Sequence, residues 1–282
     1  MQTIRHLDRL KKMVNALREG GKHIALVPTM GALHAGHMAL VLQAKAIADH
    51  VIVSIFVNPI QFGPNEDLSR YPRQEVADAA LLAEAGVAGL WLPDVATMYP
   101  QGFATTVSVA RLGDGLCGAA RPGHFDGVAT VVAKLLNQVK PDIAVFGEKD
   151  WQQLAVIHRM VHDLDLGIEI VGAPIVRDGD GLALSSRNAY LSNNERCTAL
   201  ALPRVLQATG AQIIAGACIS SALNQAKDTL LRAGFASVDY VALVDSVSLE
   251  PLETLDQDAR ILAAARIGST RLIDNFPVRS KN

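Results

Sequence analysis

Cysteine is scarce in this 282-residue chain: Cys117, Cys197 and Cys218 are odd in number and lie far apart. That pattern argues against a disulfide framework or a cysteine-based zinc site, and a reducing cytoplasm is the natural setting. An excess of charge of one sign is also lacking. Lys and Arg number 26 against 28 Asp and Glu, for a formal charge of −2. There is neither the basic excess that nucleic acid calls for nor a charged block that reads as a tail. No apolar run approaches the ~20 residues that span a bilayer. The charged, amphipathic start of the chain has no apolar signal region. Internal repeats and low-complexity segments are missing too. What remains is an ordinary soluble globular composition, 50% hydrophobic, with chain enough for one large domain or two smaller ones.

The apolar pattern alternates between strand and helix. Leu7, Leu10, Val14 and Leu17 recur at helical spacing before Gly20-Gly21. Ile24–Val27 reads as a buried strand, a helix follows from Met38 to about Ala48, and the nearly all-apolar run Val51–Val57 reads as a strand covered on both faces. A helix is expected over Gln74–Ala85, closed by Gly86, then a short strand near Leu90–Leu92. Val128, Val131, Val132, Leu135 and Val139 mark an amphipathic helix halted by Pro141. Ile143–Phe146 is a strand, Trp151–His162 a helix and Glu169–Gly172 a short strand. This alternation predicts an α/β fold, a Rossmann-like parallel sheet whose ligands bind beyond the carboxyl ends of its strands. The tail differs in texture. Ser192 and Glu195 have capping-box spacing and open a helix to about Ala215, and Ser220–Ala233 is a second helix, ended by Gly234. Val238–Val244, Arg260–Ala265 and Arg271–Ile273 read as a small antiparallel sheet. The expected division is residues 1–176, Rossmann-like, and 177–282, a smaller C-terminal α+β domain.

The rest is organised around Pro28-Thr29-Met30-Gly31-Ala32-Leu33-His34-Ala35-Gly36-His37, a turn between strand and helix. Such a turn directs free backbone N–H groups and the positive end of the helix dipole at its ligand. Gly31 and Gly36 admit close backbone approach, and one helical turn brings His34 and His37 to the same side. Together they make a cradle for a polyphosphate.

Two further segments follow strands and so fall on the same sheet edge: Asn58-Pro59-Ile60-Gln61-Phe62 and Phe146-Gly147-Glu148-Lys149-Asp150. Lys149 offers a point charge for phosphate and Asp150 an acceptor for ribose hydroxyls. The amides of Asn58, Gln61 and Gln153 can bind a hydroxy-acid without adding charge. Gln152 reads as a surface glutamine. Ser185-Ser186-Arg187-Asn188 puts two hydroxyls beside a guanidinium, suited to phosphate oxygens, although taken alone it reads first as a turn with a helix-capping serine. His6, His23, His50, His158 and His162 read as structural or solvated.

With these blocks in hand, the chain resembles the nucleotidylyltransferase superfamily with its H-x-G-H signature. More narrowly it resembles the pantothenate synthetase (pantoate–β-alanine ligase) family, through P-T-M-G-A-L-H-x-G-H, N-P-x-Q-F, R-P-G-H-F at Arg121–Phe125, F-G-x-K-D and D-G-L-A-x-S-S-R-N in that order. Trp151 stands where Tyr or Phe is usual, read as a packing variation. The resemblance implies that ATP, pantoate and β-alanine give pantothenate, AMP and pyrophosphate through a pantoyl-adenylate, with Mg²⁺ and a homodimer. It assigns ATP binding to Pro28, Thr29, Met30, Gly31, His34, Gly36 and His37, to Phe146, Gly147, Lys149 and Asp150, and to Val176, Leu184, Ser185, Ser186 and Arg187. His34, His37, Lys149 and Arg187 carry the catalytic role. Gln61 and Gln153, with Asn58, Arg121 and Tyr71, go to pantoate and β-alanine, although Arg121 also fits a helix cap. Asp78 is the one metal candidate, although on an amphipathic helix a solvent-facing Asp is the default reading. The implied partners are small molecules alone, with no nucleic acid or membrane. Two rivals stand beside this reading: a simple nucleotidylyltransferase acting on a phosphorylated acceptor, and a non-catalytic nucleotide sensor.

Overall fold

Alternation of apolar residues within single strands sets the main layer. In the strand Ile24–Thr29, Ile24 and Leu26 join one hydrophobic cluster while Ala25 and Val27 join another on the opposite face. In the strand His50–Ile55, Ile52 lies on the first face and Val51 and Val53 on the second. Both faces are therefore buried, as a sheet covered by helices on two sides requires. The structure is a computed structural model describing residues 1–64 and 66–279; residues 280–282 of the expected second domain lie outside the described residues.

The first sheet has six parallel strands: β1 Gln2–Ile4, β2 Ile24–Thr29, β3 His50–Ile55, β4 Gly89–Trp91, β5 Ile143–Gly147 and β6 Glu169–Ala173, in spatial order β1-β4-β3-β2-β5-β6. Among the described residues seven α-helices precede β6: α1 Leu7–Leu17, α2 Ala35–Ile47, α3 Glu75–Glu84, α4 Val95–Met98, α5 Cys117–Ala120, α6 His124–Val139 and α7 Trp151–Asp163. The order of winding reverses between β2 and β5, so a crevice opens beyond their carboxyl ends.

Three further helices, α8 Asn193–Ala199, α9 Ala201–Ile214 and α10 Ile219–Arg232, pack on a three-stranded antiparallel sheet of β7 Ser237–Asp245, β8 Ala259–Ile267 and β9 Thr270–Val278. This second lobe has its own hydrophobic cluster, centred on Leu202, Leu206, Leu230 and Ile261.

The structure departs from the sequence pattern in several places. The short β1, α4 and α5 have no counterpart in the pattern, because three or four residues establish no hydrophobic period. The helix expected from Met38 begins at Ala35, because the H-x-G-H segment itself forms the first turn. Ser192 does form the capping box with Glu195, but the helix expected to run to Ala215 is interrupted at Leu200. Pro203 lacks an N–H and its ring conflicts with the carbonyl four residues earlier, at Ala199. The last strand runs on to Val278 instead of ending at Ile273. Asp274 and Asn275 break the apolar pattern in sequence, yet both are buried because their side chains find bonding partners in the first lobe and in the segment leading out of it.

Candidate active site

Helix α2 begins in an unusual way. His34 is its N-cap: its Nδ1 accepts from the backbone N–H of Gly36 at 3.1 Å, while the backbone N–H of His34 donates to Nδ1 of His37 at 3.3 Å. Histidines thus take the places that Ser and Glu fill in an ordinary capping box. The two rings lie with centroids 4.1 Å apart. A Cβ at position 36 would sit 2.9 Å from the His34 ring, so only glycine lets that ring fold over the helix end.

Burial, then Lys149, lowers the pKa of His34; burial, then His34 and Lys149, lowers that of His37 to about 3. Both imidazoles are therefore neutral near pH 7. Since each Nδ1 accepts a backbone N–H, the proton of each ring resides on Nε2. The pair presents two preorganised N–H donors without placing two buried charges side by side.

These rings line a cleft of about 520 Å³ between the two lobes. The cleft brings together Pro28, Thr29, Met30, Gly36, Phe146, Gly147, Lys149, Asp150, Val176, Leu184, Ser185, Ser186 and Arg187, along with Gln61, Tyr71, Arg121 and Gln153. Ser186 donates to the carbonyl of Ala32 at 3.2 Å, tying the serine segment to the histidine turn. Ser185 caps the short helix Ser186–Tyr190 by accepting from the N–H of Arg187, so the capping role and the cleft-lining position coincide.

Three expected residues do not line the cleft. Gly31, with φ +81°, shapes the turn from behind, where a Cβ would sit 3.0 Å from both Asp78 and Ile55. Asn58 is 1% exposed; it donates to Gln61 Oε1 and the Gly127 carbonyl and accepts from Tyr99 at 2.7 Å. With its polar atoms so engaged, it orients Gln61 instead of meeting a ligand. Asp78 is 1% exposed rather than solvent-facing, and its carboxylate accepts from Ala32 N at 2.9 Å and Leu33 N at 2.8 Å. It braces the turn instead of serving as a metal ligand: both oxygens are engaged by backbone N–H groups, and no group of three His, Cys, Asp or Glu side chains gathers around a common point among the described residues.

Sequence reasoning also missed several residues. Gln152 is buried, not on the surface; it donates to Leu112 O and Gly115 O and accepts from Cys117 N, anchoring the loop before α5. Glu66 and Asp67 clamp the two cleft arginines: Arg121 bonds both oxygens of Glu66 at 2.6 Å, and Arg187 bonds Asp67 at 2.8 and 2.9 Å. Burial opposes ionisation of Glu66, but Arg121 outweighs it and holds the carboxyl at about 2. Likewise burial works against the Arg187 charge, and Asp67 more than restores it. His124 lies 2.7 Å from Arg121 and 2.8 Å from the Gln61 carbonyl, its ring nitrogens engaged on both sides. Adjacent acids preceding Y-P-R were the available signal, but nothing in the sequence indicates which arginines they meet. Trp151 is more than a packing variation: its Nε1 donates to Ser246 O, and the Arg260 guanidinium lies 3.4 Å over its ring, joining the lobes.

The cleft lining holds N–H donors, the Lys149 ammonium, hydroxyls and the Arg187 guanidinium, together with the neutral amides of Gln61 and Gln153. That suits transfer chemistry on a polyphosphate beside a hydrogen-bonding organic acid. Comparison with known proteins agrees. The profile of the family described as Pantoate-beta-alanine ligase matches residues 2–277. A protein of Sphingopyxis alaskensis named pantothenate synthetase is 64% identical over 99% of this chain and 100% of its own. The crystal structure of pantothenate synthetase from Thermus thermophilus superposes with a TM-score of 0.93 at 48% identity, covering 99% of this chain and 100% of that one. A Francisella tularensis pantoate-beta-alanine ligase, described as complexed with beta-gamma ATP and beta-alanine, gives 0.83 at 35% identity over 98% of this chain and 97% of that one. Matched from one end to the other in sequence and in fold, the chain belongs to the pantoate–β-alanine ligase family.

Proposed function

We propose that the cleft condenses pantoate with β-alanine at the expense of ATP, in two steps. In the first, a pantoate carboxylate oxygen bonds to the α-phosphorus as the bond to the bridging oxygen of pyrophosphate breaks, leaving pantoyl-adenylate. Nε2–H of His34 and His37 donate to the oxygens on which charge accumulates, and Lys149, Ser185, Ser186 and Arg187 hold the triphosphate. Arg187 exchanges Asp67 for phosphate as the nucleotide enters. In the second step the β-alanine amine attacks the acyl carbon and AMP leaves. The enzyme's part there is to hold that amine near the mixed anhydride and exclude water.

Gln61 and Gln153 orient pantoate, whose hydroxyls and single carboxylate need hydrogen bonds and no further cations. This favours an organic acid over the phosphorylated acceptor of a simple nucleotidylyltransferase. We assign residues 177–282 the role of a lid over the nucleotide, the protein a homodimeric state, and the cytoplasm as its site of action. No helix among the described residues is long and apolar enough to cross a membrane. Among the described residues no group of three His, Cys, Asp or Glu side chains is placed to hold a metal ion. Mg²⁺ belongs with ATP as part of the substrate.

The observation carrying this reading is the pair of neutral imidazoles over the α2 N-terminus, sharing one cleft with Lys149 and the two glutamines. Its test is pyrophosphate release in single turnover. Release from ATP that requires pantoate, with pantothenate forming only when β-alanine follows, is expected. Release without pantoate, or none under either condition, overturns it.

A further inference from the structure

The first lobe carries Lys149, but the second lobe decides how it is held. Asn275, midway along β9, is 2% exposed. Its side-chain NH₂ donates to the carbonyls of Glu148 and Lys149, both at 2.9 Å. Those carbonyls belong to the two peptide planes that meet at the Lys149 Cα. Fixing both sets φ and ψ of Lys149 and so the direction in which its side chain leaves the chain. Asn275 Oδ1 is buried and has no partner among the described residues, so the residue serves through its donors.

Its neighbour acts on the segment that leads out of the first lobe. Asp274 accepts from both terminal nitrogens of Arg177 at 2.7 and 2.8 Å, and the same guanidinium reaches the Gly181 carbonyl at 3.2 Å and lies over the Phe276 ring at 4.2 Å. The backbone N–H of Asn275 donates to Asp274 at 2.8 Å, joining the two grips. On the first-lobe side the Glu148 carboxylate pairs with Arg260 of β8 at 3.0 Å.

We propose that Asn275 is a positioning residue for Lys149, orienting its ammonium toward the triphosphate from the second lobe, while Asp274 ties the Arg177–Gly181 turn to the same point of β9. This rests on the reading that Lys149 meets the nucleotide. An asparagine that merely glued the lobes together would weaken the protein without regard to Lys149, and a double-mutant cycle separates the two roles.

The affinity for a non-hydrolysable β,γ-imido ATP analogue is measured by calorimetry in wild type, Asn275→Ala, Lys149→Ala and the double variant. Asn275→Leu, which keeps the volume, serves where the alanine variant melts early. The expected result is about tenfold weaker binding on losing Asn275, the scale of one hydrogen bond's worth of alignment, and no further loss in the Lys149→Ala background. The KM for pantoate stays within about twofold. Additive losses, wild-type affinity in both Asn275 variants, or an equal rise in the pantoate KM overturns the proposal. A wild-type protein that binds the analogue but releases no pyrophosphate with pantoate overturns the functional reading alone, because the cycle is decided by nucleotide affinity.

Discussion

At the scale of single residues, the two histidines show how a backbone geometry sets a chemical state. Each ring is a helix-capping acceptor at Nδ1 and, being neutral, a donor at Nε2. A cation at either place would strengthen the pull on phosphate but would sit buried against Lys149 and its partner ring, which is why the pKa of His37 falls to about 3. Replacing His37 by Ala is expected to slow pantoyl-adenylate formation by ~10²-fold or more, the scale of one oxyanion-type donor. Rapid-quench measurement of the first turnover checks this, and an unchanged rate removes His37 from the chemistry. The amides make a separate prediction. Gln61→Ala and Gln153→Ala should each raise the KM for pantoate by about tenfold, since a hydrogen bond to a charged group is worth about 1.5–3 kcal/mol, with the KM for ATP little changed. A rise confined to ATP would move both glutamines to the other end of the cleft.

At the scale of elements, the histidine turn depends on α3. Asp78 lies in its first half and satisfies the N–H groups of Ala32 and Leu33 where Ala32 adopts φ +52°. A non-glycine residue in that left-handed region persists only when its surroundings hold it there. Asp78→Asn keeps the shape but sets an NH₂ against one of the two backbone N–H groups. It is expected to cost about 1–3 kcal/mol, seen as a lower melting temperature, and to weaken nucleotide binding through the loosened turn. An unaltered melting curve would show that the turn holds itself. The 3₁₀ turn Asp67–Ser69 has the complementary role: with Glu66 it pairs both cleft arginines.

For the whole molecule, the buried neutral rings set a pH dependence whose sign follows from their shifts. In the unfolded chain His37 and His124 take up protons near the ordinary value of 6.5; folded, they do so only near 3 and 4. Between those limits the unfolded state binds more protons, so stability is complete above pH 6.5 and falls as pH drops, by about 1.4 kcal/mol per pH unit for each group. Glu66, lowered from 4.5 to about 2, adds its loss only below the first of those values. The melting temperature should therefore decline between pH 6.5 and 4.5, above the range of the carboxylates, and decline less steeply in a His37→Asn/His124→Asn variant. A flat wild-type profile across that window would contradict neutral burial of the rings.

Most of the architecture was legible from periodicity. Alternating apolar residues in Ile24–Val27 and the unbroken run from Val51 encode a doubly covered strand wherever they occur, and Pro141 and Gly234 stop a helix by local sterics. The site blocks were legible because each is a short contiguous string attached to a strand end. Local chemistry determined that Gly36 and His34 cap a helix and that Ser192 opens another. Tertiary structure alone decided that Asn58 and Asp78 turn inward as braces, that Glu66 and Asp67 find Arg121 and Arg187, and that Asn275 reaches across to Lys149. The Asp78 and Asn275 bonds join residues 46 and 126 positions apart, and no local preference encodes them; they exist because packing of α3 on the turn within the first lobe, and of β9 on the first lobe from the second, buries polar groups that must then find partners there.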